Sequence, residues 1–378
     1  MLDTIVLTLP EHQFRIVHPE RFNPPAHNLR QGYAGHREVL KFVYNPSKTE
    51  KRLGYKPRLT VYRRPVAYAE SITLKIEFSA PKLLFGNNFE EIGGSTDLPA
   101  LLGKLMATLG DMGIETKREY LEHAKVSAVH YSKNILLERT TPCFLIIQAL
   151  EKLDLSQKLD LTQTDFRNAG QMVKYHASNY EVALYDKVKD LEQAAKYGEK
   201  RGAEQDYDGQ LNLFSKHKEK PEVLRFEVRL TSRKLTSLLN TLRIKSGKTL
   251  VELFNLDIAR SVLLHYWETI TQGLFMLNIS TENTEKLICA IRAQFPRMRP
   301  TKVMTLMAYI TACQNMGMRP ARQMLRLSDS AWAKLKKEAK ALQAQKLCPR
   351  FQTLNAIKSE LTEFIPLAKQ DIVVEGLL

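Results

Sequence analysis

The sequence lacks any long apolar run, which excludes the usual transmembrane helix. No stretch of the 378 residues approaches the roughly 20 apolar residues that a helix needs to cross a bilayer. Residues 1–10 have no basic region before their apolar residues, so they predict a first β-strand and not a signal peptide. No lipidation signal stands at either end. We therefore expect no membrane partner.

Cysteine is scarce in the chain. The four cysteines, Cys143, Cys289, Cys313 and Cys348, lie far apart and form no Cys-x-x-Cys pair. This spacing argues against a structural zinc site, because such sites usually draw on closely paired cysteines. It fits a reducing compartment, where we expect free thiols that are buried as small apolar residues.

Acidic residues are too few to balance the basic ones. The chain has 41 Asp and Glu against 56 Lys and Arg, which gives a net charge of +15 and a pI near 9.5. A surplus of this size favours a polyanionic partner, and without a membrane signal that partner is nucleic acid. The composition, 44% hydrophobic and 26% charged, is that of a globular chain of two or three domains.

The first two thirds of the chain mix strand and helix patterns. Apolar and polar residues alternate over residues 72–79 and again over residues 224–231, the period of a half-buried strand. A further strand is predicted over residues 126–131. Leucines at helical spacing predict a helix over residues 98–109. The fold class is therefore α+β.

From about residue 235 onward, helical periodicity dominates and the strand patterns fade. Residues 301–345 predict a helix, a turn at Gly317 and Pro320, a short helix, and then a longer helix with Ser328 or Asp329 as its N-cap. This is the outline of a helix-turn-helix DNA reader. Any small helical domain also has helices joined by short turns, so a purely structural role stays open.

The last of these helices has one apolar face and one basic face. The apolar face carries Trp332, Leu335, Ala339 and Leu342, and the basic face carries Lys334, Lys336, Lys337 and Lys340. We take Lys334 and Lys337 as the predicted DNA contacts of this helix.

Polar residues on three predicted strands suggest a metal site. Glu77, His130 and Glu227 should lie on the wet face of one sheet, and their side chains are suitable ligands for Mg²⁺ or Mn²⁺. The predicted phosphate-binding residues near them are Lys133, Lys187, Arg225 and Arg229. Each residue also has an ordinary interpretation: a Glu between two Arg is commonly a cross-strand charge pair, and a lone His is commonly a hydrogen-bonded, half-buried one.

A tyrosine beside two charged residues is the candidate nucleophile. Residues 185–187 are Tyr-Asp-Lys, and a phenol with an ordinary pKa near ~10 needs a metal or a nearby cation to attack phosphate at neutral pH. A half-buried core tyrosine is the alternative for Tyr185. Tyr180 and Tyr175 are the other candidate nucleophiles; Tyr180 should lie on the opposite strand face from Tyr185.

Four segments, in order along residues 1–235, resemble one known family. They are residues 1–10, 75–88, 182–187 and 224–230, the last containing the pattern Arg-Phe-Glu-x-Arg. The chain resembles the gene II-type replication initiators of filamentous bacteriophages, which nick and rejoin DNA in rolling-circle replication. In this resemblance Tyr185 matches the catalytic tyrosine of the family and Glu227 matches its glutamate.

The resemblance implies a two-part protein and a specific activity. Residues 1–235 would form an antiparallel-sheet nicking and joining nuclease domain, and residues 236–378 a helical domain for DNA binding or origin recognition. Tyr185, steadied by Lys187, would cut one strand of origin DNA, supercoiled or single-stranded. A 5′-phosphotyrosyl link and a 3′-OH primer would result. The partners would be the helicase, polymerase and single-strand binding protein of a bacterial host, in its cytoplasm.

Two departures from the family affect the metal ligands. His130 stands where the family commonly has an aspartate, which would shift preference from Mg²⁺ toward Mn²⁺. Glu77 is displaced by about two residues from the family's glutamate. A non-catalytic DNA-binding protein that acts at an origin therefore stays open as an alternative. So does a transposase or plasmid relaxase with the same tyrosine chemistry.

Overall fold

The computed structural model confirms the α+β class with an antiparallel sheet. It describes residues 1–29, 39–66, 69–138, 140–153, 164–167, 172–200, 221–279, 281, 283–342, 349–368 and 370–371. No helix among these residues is both long enough and apolar enough to cross a membrane.

Strands are spread over the first 231 residues. They are β1 (Leu2–Pro10), β2 (Phe14–Ile16), β3 (Leu40–Tyr44), β4 (Arg58–Val66), β5 (Ala69–Ser79), β6 (Ile114–Thr116), β7 (Lys125–Leu136), β8 (Thr164–Arg167), β9 (Met172–Ala177), β10 (Tyr180–Asp186) and β11 (Val223–Thr231). Nine of them form one sheet in the order β3-β4-β5-β1-β7-β11-β10-β9-β8, and β2 pairs with β6 in a small second sheet. Every pairing is antiparallel.

The strands that the alternation predicted are present. β5, β7 and β11 contain the predicted segments and extend beyond them, and β1 covers the predicted first strand except for residue 1. Their apolar residues point to one face of the sheet, which is buried; Leu74, Ile76, Phe226 and Val228 are fully covered. The opposite face carries the polar residues, because successive side chains on a strand point to opposite sides.

Helices cover the apolar face and continue beyond it. They are α1 (Lys48–Arg52), α2 (Ala80–Phe85), α3 (Leu98–Asp111), α4 (Arg118–Glu122), α5 (Cys143–Glu151), α6 (Lys187–Lys200), α7 (Ser232–Thr241), α8 (Leu250–Leu253), α9 (Leu256–Ile270), α10 (Thr284–Gln294), α11 (Pro300–Met316), α12 (Met318–Leu325), α13 (Asp329–Lys340) and α14 (Pro349–Glu363). The predicted helix over residues 98–109 is α3.

Two hydrophobic clusters account for most of the described core. The first joins the sheet to α3, α5, α7, α9 and α14. The second lies within residues 276–342 and is built from α10 to α13. Helices that follow residue 235 thus belong to both clusters. The domain boundary after residue 235 stays a prediction.

The predicted three-helix outline is present in the second cluster. α11, α12 and α13 follow one another with short turns, and the Ser328 side chain accepts a hydrogen bond from the Ala331 backbone N–H (3.3 Å), so Ser328 is the N-cap of α13. Trp332 and Leu335 are buried on one side of α13, while Lys334 and Lys337 are exposed on the other. The three helices and the two faces of α13 are confirmed, but Pro320, predicted in the turn with Gly317, lies in the first turn of α12. DNA reading by these helices stays a prediction.

The burial of the described cysteines agrees only in part with the prediction. Cys143 and Cys313 are buried and form no disulfide within the described residues, as predicted, but Cys289 is exposed. It lies on the outer side of α10, an amphipathic helix whose buried positions are Leu287 and Ile291. Cys348 lies outside the described residues.

Candidate active site

A β-bulge in the first strand builds one corner of the site. Residues 2–5 of β1 lie opposite residues 129–131 of β7, so β1 has one residue more than its partner over this stretch. Two residues of β1, Asp3 and Thr4, therefore face the single residue His130. The bulge brings the Asp3 carboxylate to the polar face of the sheet, beside the imidazole.

The pairing of the next strands brings four more polar side chains to the same face. His130 pairs with Arg229 across β7 and β11, and Tyr185 pairs with Arg225 across β10 and β11. Residues two apart on a strand share a face, so Glu227 lies on this face between the two arginines. The prediction that His130 and Glu227 share one face of the sheet is confirmed, but Glu227 is buried there and not wet.

The Glu227 carboxylate is the centre of the site. It accepts hydrogen bonds from the Tyr185 hydroxyl (3.1 Å, to Oε2) and from Nε of Arg229 (2.8 Å, to Oε1). Its Oε1 lies 3.4 Å from Nδ1 of His130, and its Oε2 lies 3.7 Å from Nε of Arg225. Burial opposes ionisation of this carboxyl, but His130, Arg229 and Arg225 outweigh burial and hold its pKa well below the usual range. Glu227 is therefore ionised at neutral pH.

Asp3, His130 and Glu227 form a group that can hold a metal ion, and we call them the metal group. Their potential ligand atoms all lie within 4.8 Å of one another. Two carboxylates and an imidazole are a suitable donor set for a divalent cation. The same carboxylates also contact guanidinium groups, since Asp3 Oδ1 lies 2.9 Å from Arg225. A cation would share this negative charge with the arginines.

Glu77 was predicted as a metal ligand, but the structure does not bring it together with His130 and Glu227. Its side chain is exposed and lines the same cleft, but it is not part of the metal group. Glu77 pairs with Val6 on β1, three residues beyond Asp3. The carboxylate that joins His130 and Glu227 is that of Asp3. An acidic residue within the otherwise apolar and threonine-rich first strand was the sequence signal for it.

Tyr185 is held in a neutral form. Its side chain is 6% exposed and lies in the wall of the cleft. Burial raises the pKa of the phenol well above its usual value, and the adjacent Glu227 carboxylate raises it further, against a smaller opposite effect of Arg225. In this state the hydroxyl is a hydrogen-bond donor to Glu227.

The other two candidate tyrosines lie away from this cleft. Tyr180 is on the opposite face of β10, as predicted, where its ring packs 5.5 Å from that of Tyr266. Tyr175 is buried on that same apolar face. Neither lines the cleft, so among the three tyrosines only Tyr185 lies beside the metal group.

The two neighbours of Tyr185 differ in their roles. The Asp186 carboxylate accepts hydrogen bonds from the backbone N–H groups of Val188 (3.1 Å) and Lys189 (3.0 Å), so it caps the start of α6. Lys187 is buried, and its ammonium lies 5.8 Å from the centre of the Tyr185 ring. Burial, followed by repulsion from Arg225, lowers the pKa of Lys187 to about 7.

The lowered pKa of Lys187 predicts a pH dependence of stability. Between about pH 7 and the ordinary lysine pKa near ~10.4, the unfolded chain binds a proton here that the folded chain does not. The free energy of unfolding should therefore rise with pH in this window, by up to ~1.4 kcal/mol per unit. Urea unfolding at several pH values should show the rise in the wild type and lose it in Lys187→Met. Lys334→Met, which alters an exposed lysine, should behave as the wild type; equal slopes in all three proteins would contradict the assignment.

Three of the four predicted phosphate-binding residues near the metal group, Lys133, Lys187 and Arg225, are buried and do not line the cleft. Lys133 is 2% exposed, and its ammonium donates to Glu91 (2.9 Å). Arg225 is fully buried and donates to the Asn134 side chain (2.9 Å). Buried cations need such partners, and these partners occupy the positions that phosphate would take. Arg229 is 38% exposed and lines the cleft, so it remains a candidate.

The cleft itself has a volume of about 570 Å³. Its basic lining residues are Lys51, Lys56, Arg58, Lys82 and Arg229. Sequence reasoning missed the first four, although the basic character of residues 48–58 was a usable signal. The five basic residues outnumber the carboxylates of the cleft, which are Asp3, Glu77 and Glu227. The opening above Tyr185 therefore favours an anion.

Comparison with known proteins gives no relative: no family model, no curated protein and no solved structure matches the chain significantly.

Proposed function

We propose that this protein is a metal-dependent DNA endonuclease that nicks and rejoins one strand through Tyr185, in rolling-circle replication. The observation that carries the proposal is the Tyr185 hydroxyl in the wall of a basic cleft, hydrogen-bonded to a carboxylate of the metal group. The resemblance to gene II-type initiators also supports Tyr185 as the nucleophile. The class of reaction is phosphoryl transfer to a tyrosine.

In the first step the Tyr185 oxygen bonds to phosphorus and the bond from phosphorus to the 3′ oxygen breaks. The result is a 5′-phosphotyrosyl link and a free 3′-OH that a host polymerase can extend. The phenol proton passes to Oε2 of Glu227, the atom to which it is already hydrogen-bonded, and from this weakly basic carboxylate on through water to the leaving 3′ oxygen, which becomes the 3′-OH. Attack of a 3′-OH on the link reverses the step, so rejoining needs no ATP.

The metal group would hold Mg²⁺ or Mn²⁺ for this reaction. Such an ion polarises a phosphodiester and offsets the negative charge that develops during attack. The imidazole of His130 favours Mn²⁺ more than an all-carboxylate site would. Arg229 and the basic residues of the cleft would hold flanking phosphates, and Lys334 and Lys337 would contribute to origin binding from α13.

Detection of a covalent adduct tests the proposal. The protein is incubated with supercoiled plasmids that carry the DNA flanking its gene, with Mg²⁺, Mn²⁺ or EDTA. We expect nicked circles and a protein–DNA adduct with metal and neither with EDTA, and mass spectrometry should find the linked nucleotide on Tyr185. Nicking without an adduct, or an adduct on another residue, would overturn the proposal.

The second candidate is a non-catalytic protein that binds DNA at an origin. It is favoured by the state of Tyr185, whose phenol is buried with a raised pKa. It is also favoured by the arginines that already pair with both carboxylates of the metal group. This candidate predicts plasmid binding that survives EDTA and no nick with either metal.

A further inference from the structure

The polar face of the sheet continues beyond the cleft and carries a second basic surface. Lys41 on β3 pairs with Tyr62 on β4, which pairs with Thr73 on β5, and Lys75 pairs with Thr8 on β1. Tyr62, Thr73 and Lys75 share one face with Arg58 or Glu77 of the cleft, because each lies an even number of residues from it along the same strand. Lys41 and Thr8 share this face because they pair directly with Tyr62 and Lys75. We call Thr8, Lys41, Tyr62, Arg64, Thr73 and Lys75 the Tyr62 platform.

The Tyr62 ring organises the cations of the platform. The Arg64 guanidinium lies 4.5 Å and the Lys75 ammonium 5.3 Å from the ring centre. Cation–π attraction to the ring holds these two flexible side chains in place, and their N–H groups remain able to bind an anion. Tyr62, Arg64 and Lys75 are partly exposed, and Lys41 is exposed.

Two threonine hydroxyls of the platform are covered by the protein. The side-chain oxygens of Thr8 and Thr73 are shielded from solvent, and within the described part of the chain neither has a hydrogen-bond partner. Polar atoms in such positions usually have a partner, because an unmade hydrogen bond is costly. Both threonines are neighbours of the cations across the strands, Thr73 beside Tyr62 and Thr8 beside Lys75.

We propose that the Tyr62 platform binds single-stranded DNA that leads to or from the cleft. It has three cations and no carboxylate of its own, so its charge complements a phosphate backbone. Tyr62 lies four residues from Arg58 along β4, which is ~13 Å at ~3.3 Å per residue. About four nucleotides cover that distance, since stacked DNA rises ~3.4 Å per nucleotide.

The platform fits a single strand better than a duplex. Proteins that bind single strands combine a basic track for the backbone with aromatic side chains for the bases. The platform has both, side by side on a sheet surface that continues into the cleft. That the bound strand leads to Tyr185 rests on the proposed function, whereas binding of a single strand by the platform does not. The experiment tests these two statements separately.

Binding is measured without cleavage, in Tyr185→Phe protein with EDTA, by the fluorescence anisotropy of a labelled single-stranded oligonucleotide. The test variant adds Arg64→Gln and Lys75→Gln; the control adds Lys245→Gln and Lys286→Gln, which removes the same charge from outside the cleft and the platform. For single strands, each lost phosphate contact reduces the slope of log K against log salt by ~0.7. We expect a slope smaller by ~1.4 and affinity at least ~10-fold weaker in the test variant alone.

One further variant tests the role of the Tyr62 ring, and a duplex ligand tests the preference for a single strand. Tyr62→Leu should also weaken binding, while a blunt duplex of the same sequence should bind the test variant and its parent alike. Equal binding by test and control variants would overturn the inference, and an equal loss for the duplex would overturn its single-strand part. If wild-type protein forms no adduct but the test variant loses binding, the proposed function fails and the platform stands.

Discussion

Replacement of Tyr185 by phenylalanine should reduce nicking and adduct formation to the level of a reaction without protein. The change removes one oxygen, the atom proposed to bond to phosphorus, and leaves the ring in its place in β10. It also removes the hydrogen bond to the ionised Glu227 carboxylate (3.1 Å), which should lower the free energy of unfolding by ~1.5–3 kcal/mol and leave the variant to be checked for folding by circular dichroism. The measurement is a plasmid nicking assay with Mg²⁺ or Mn²⁺, with denaturing gels for the adduct.

Tyr180→Phe is the matched control for this result. It removes the same atom from the same strand, but on the opposite face, where Tyr180 packs against Tyr266. Nicking should stay within about twofold of the wild type, because a lost half-buried hydroxyl costs only ~1 kcal/mol and the variant remains folded. If Tyr185→Phe still forms the adduct, or if Tyr180→Phe is the variant that loses it, the nucleophile is wrongly assigned.

Substitution of Asp3 should have the second largest effect. Asp3→Asn removes a charged ligand from the metal group and should lower Mn²⁺ affinity by at least ~100-fold, since even residues behind metal ligands can change affinity by 10- to 100-fold. Glu77→Gln removes the same charge from the same cleft, outside the metal group, and should change affinity by less than about threefold. Calorimetry on Tyr185→Phe protein measures both without turnover.

The fold of the Asp3 variant needs its own check. Asp3 also lies 2.9 Å from buried Arg225, so part of the effect of its loss could be structural. Circular dichroism and urea unfolding establish whether Asp3→Asn is folded under the conditions of the titration. An Asp3→Asn protein that is folded and binds Mn²⁺ as its parent does would contradict the metal group, and a large loss in Glu77→Gln would restore Glu77 as the ligand.

The sequence predicted those parts of the fold that depend on local periodicity. The alternation over residues 224–231 specified β11, and it also specified that Glu227 and Arg229 share its polar face. The cap at Ser328 and the apolar face of α13 were equally local. These features need only the geometry of one strand or one helix, which neighbouring residues determine.

The composition of the site depended on contacts that no local pattern specifies. Lys133 was expected to bind phosphate because it is basic and lies beside the polar face, but Glu91, 42 residues away, holds it in the interior. Arg225 is engaged by Asn134 and Asp3, which come from two other strands. Whether a charged residue faces solvent or a buried partner depends on strand order, and strand order was not readable from spacing.

Because of the bulge in β1, the metal group depends on the number of residues in this strand as well as on their types. Counted back from Ile5, plain alternation would turn Asp3 toward the apolar face, and only the extra residue opposite residues 129–131 reverses it. The alternation of polar and apolar side chains before the bulge is thus shifted by one residue relative to the alternation after it. A one-residue change in length here would shift the first residues relative to His130 while Ile5, Leu7 and Leu9 kept their packing. The same sheet could therefore gain or lose its metal group without any change in its core.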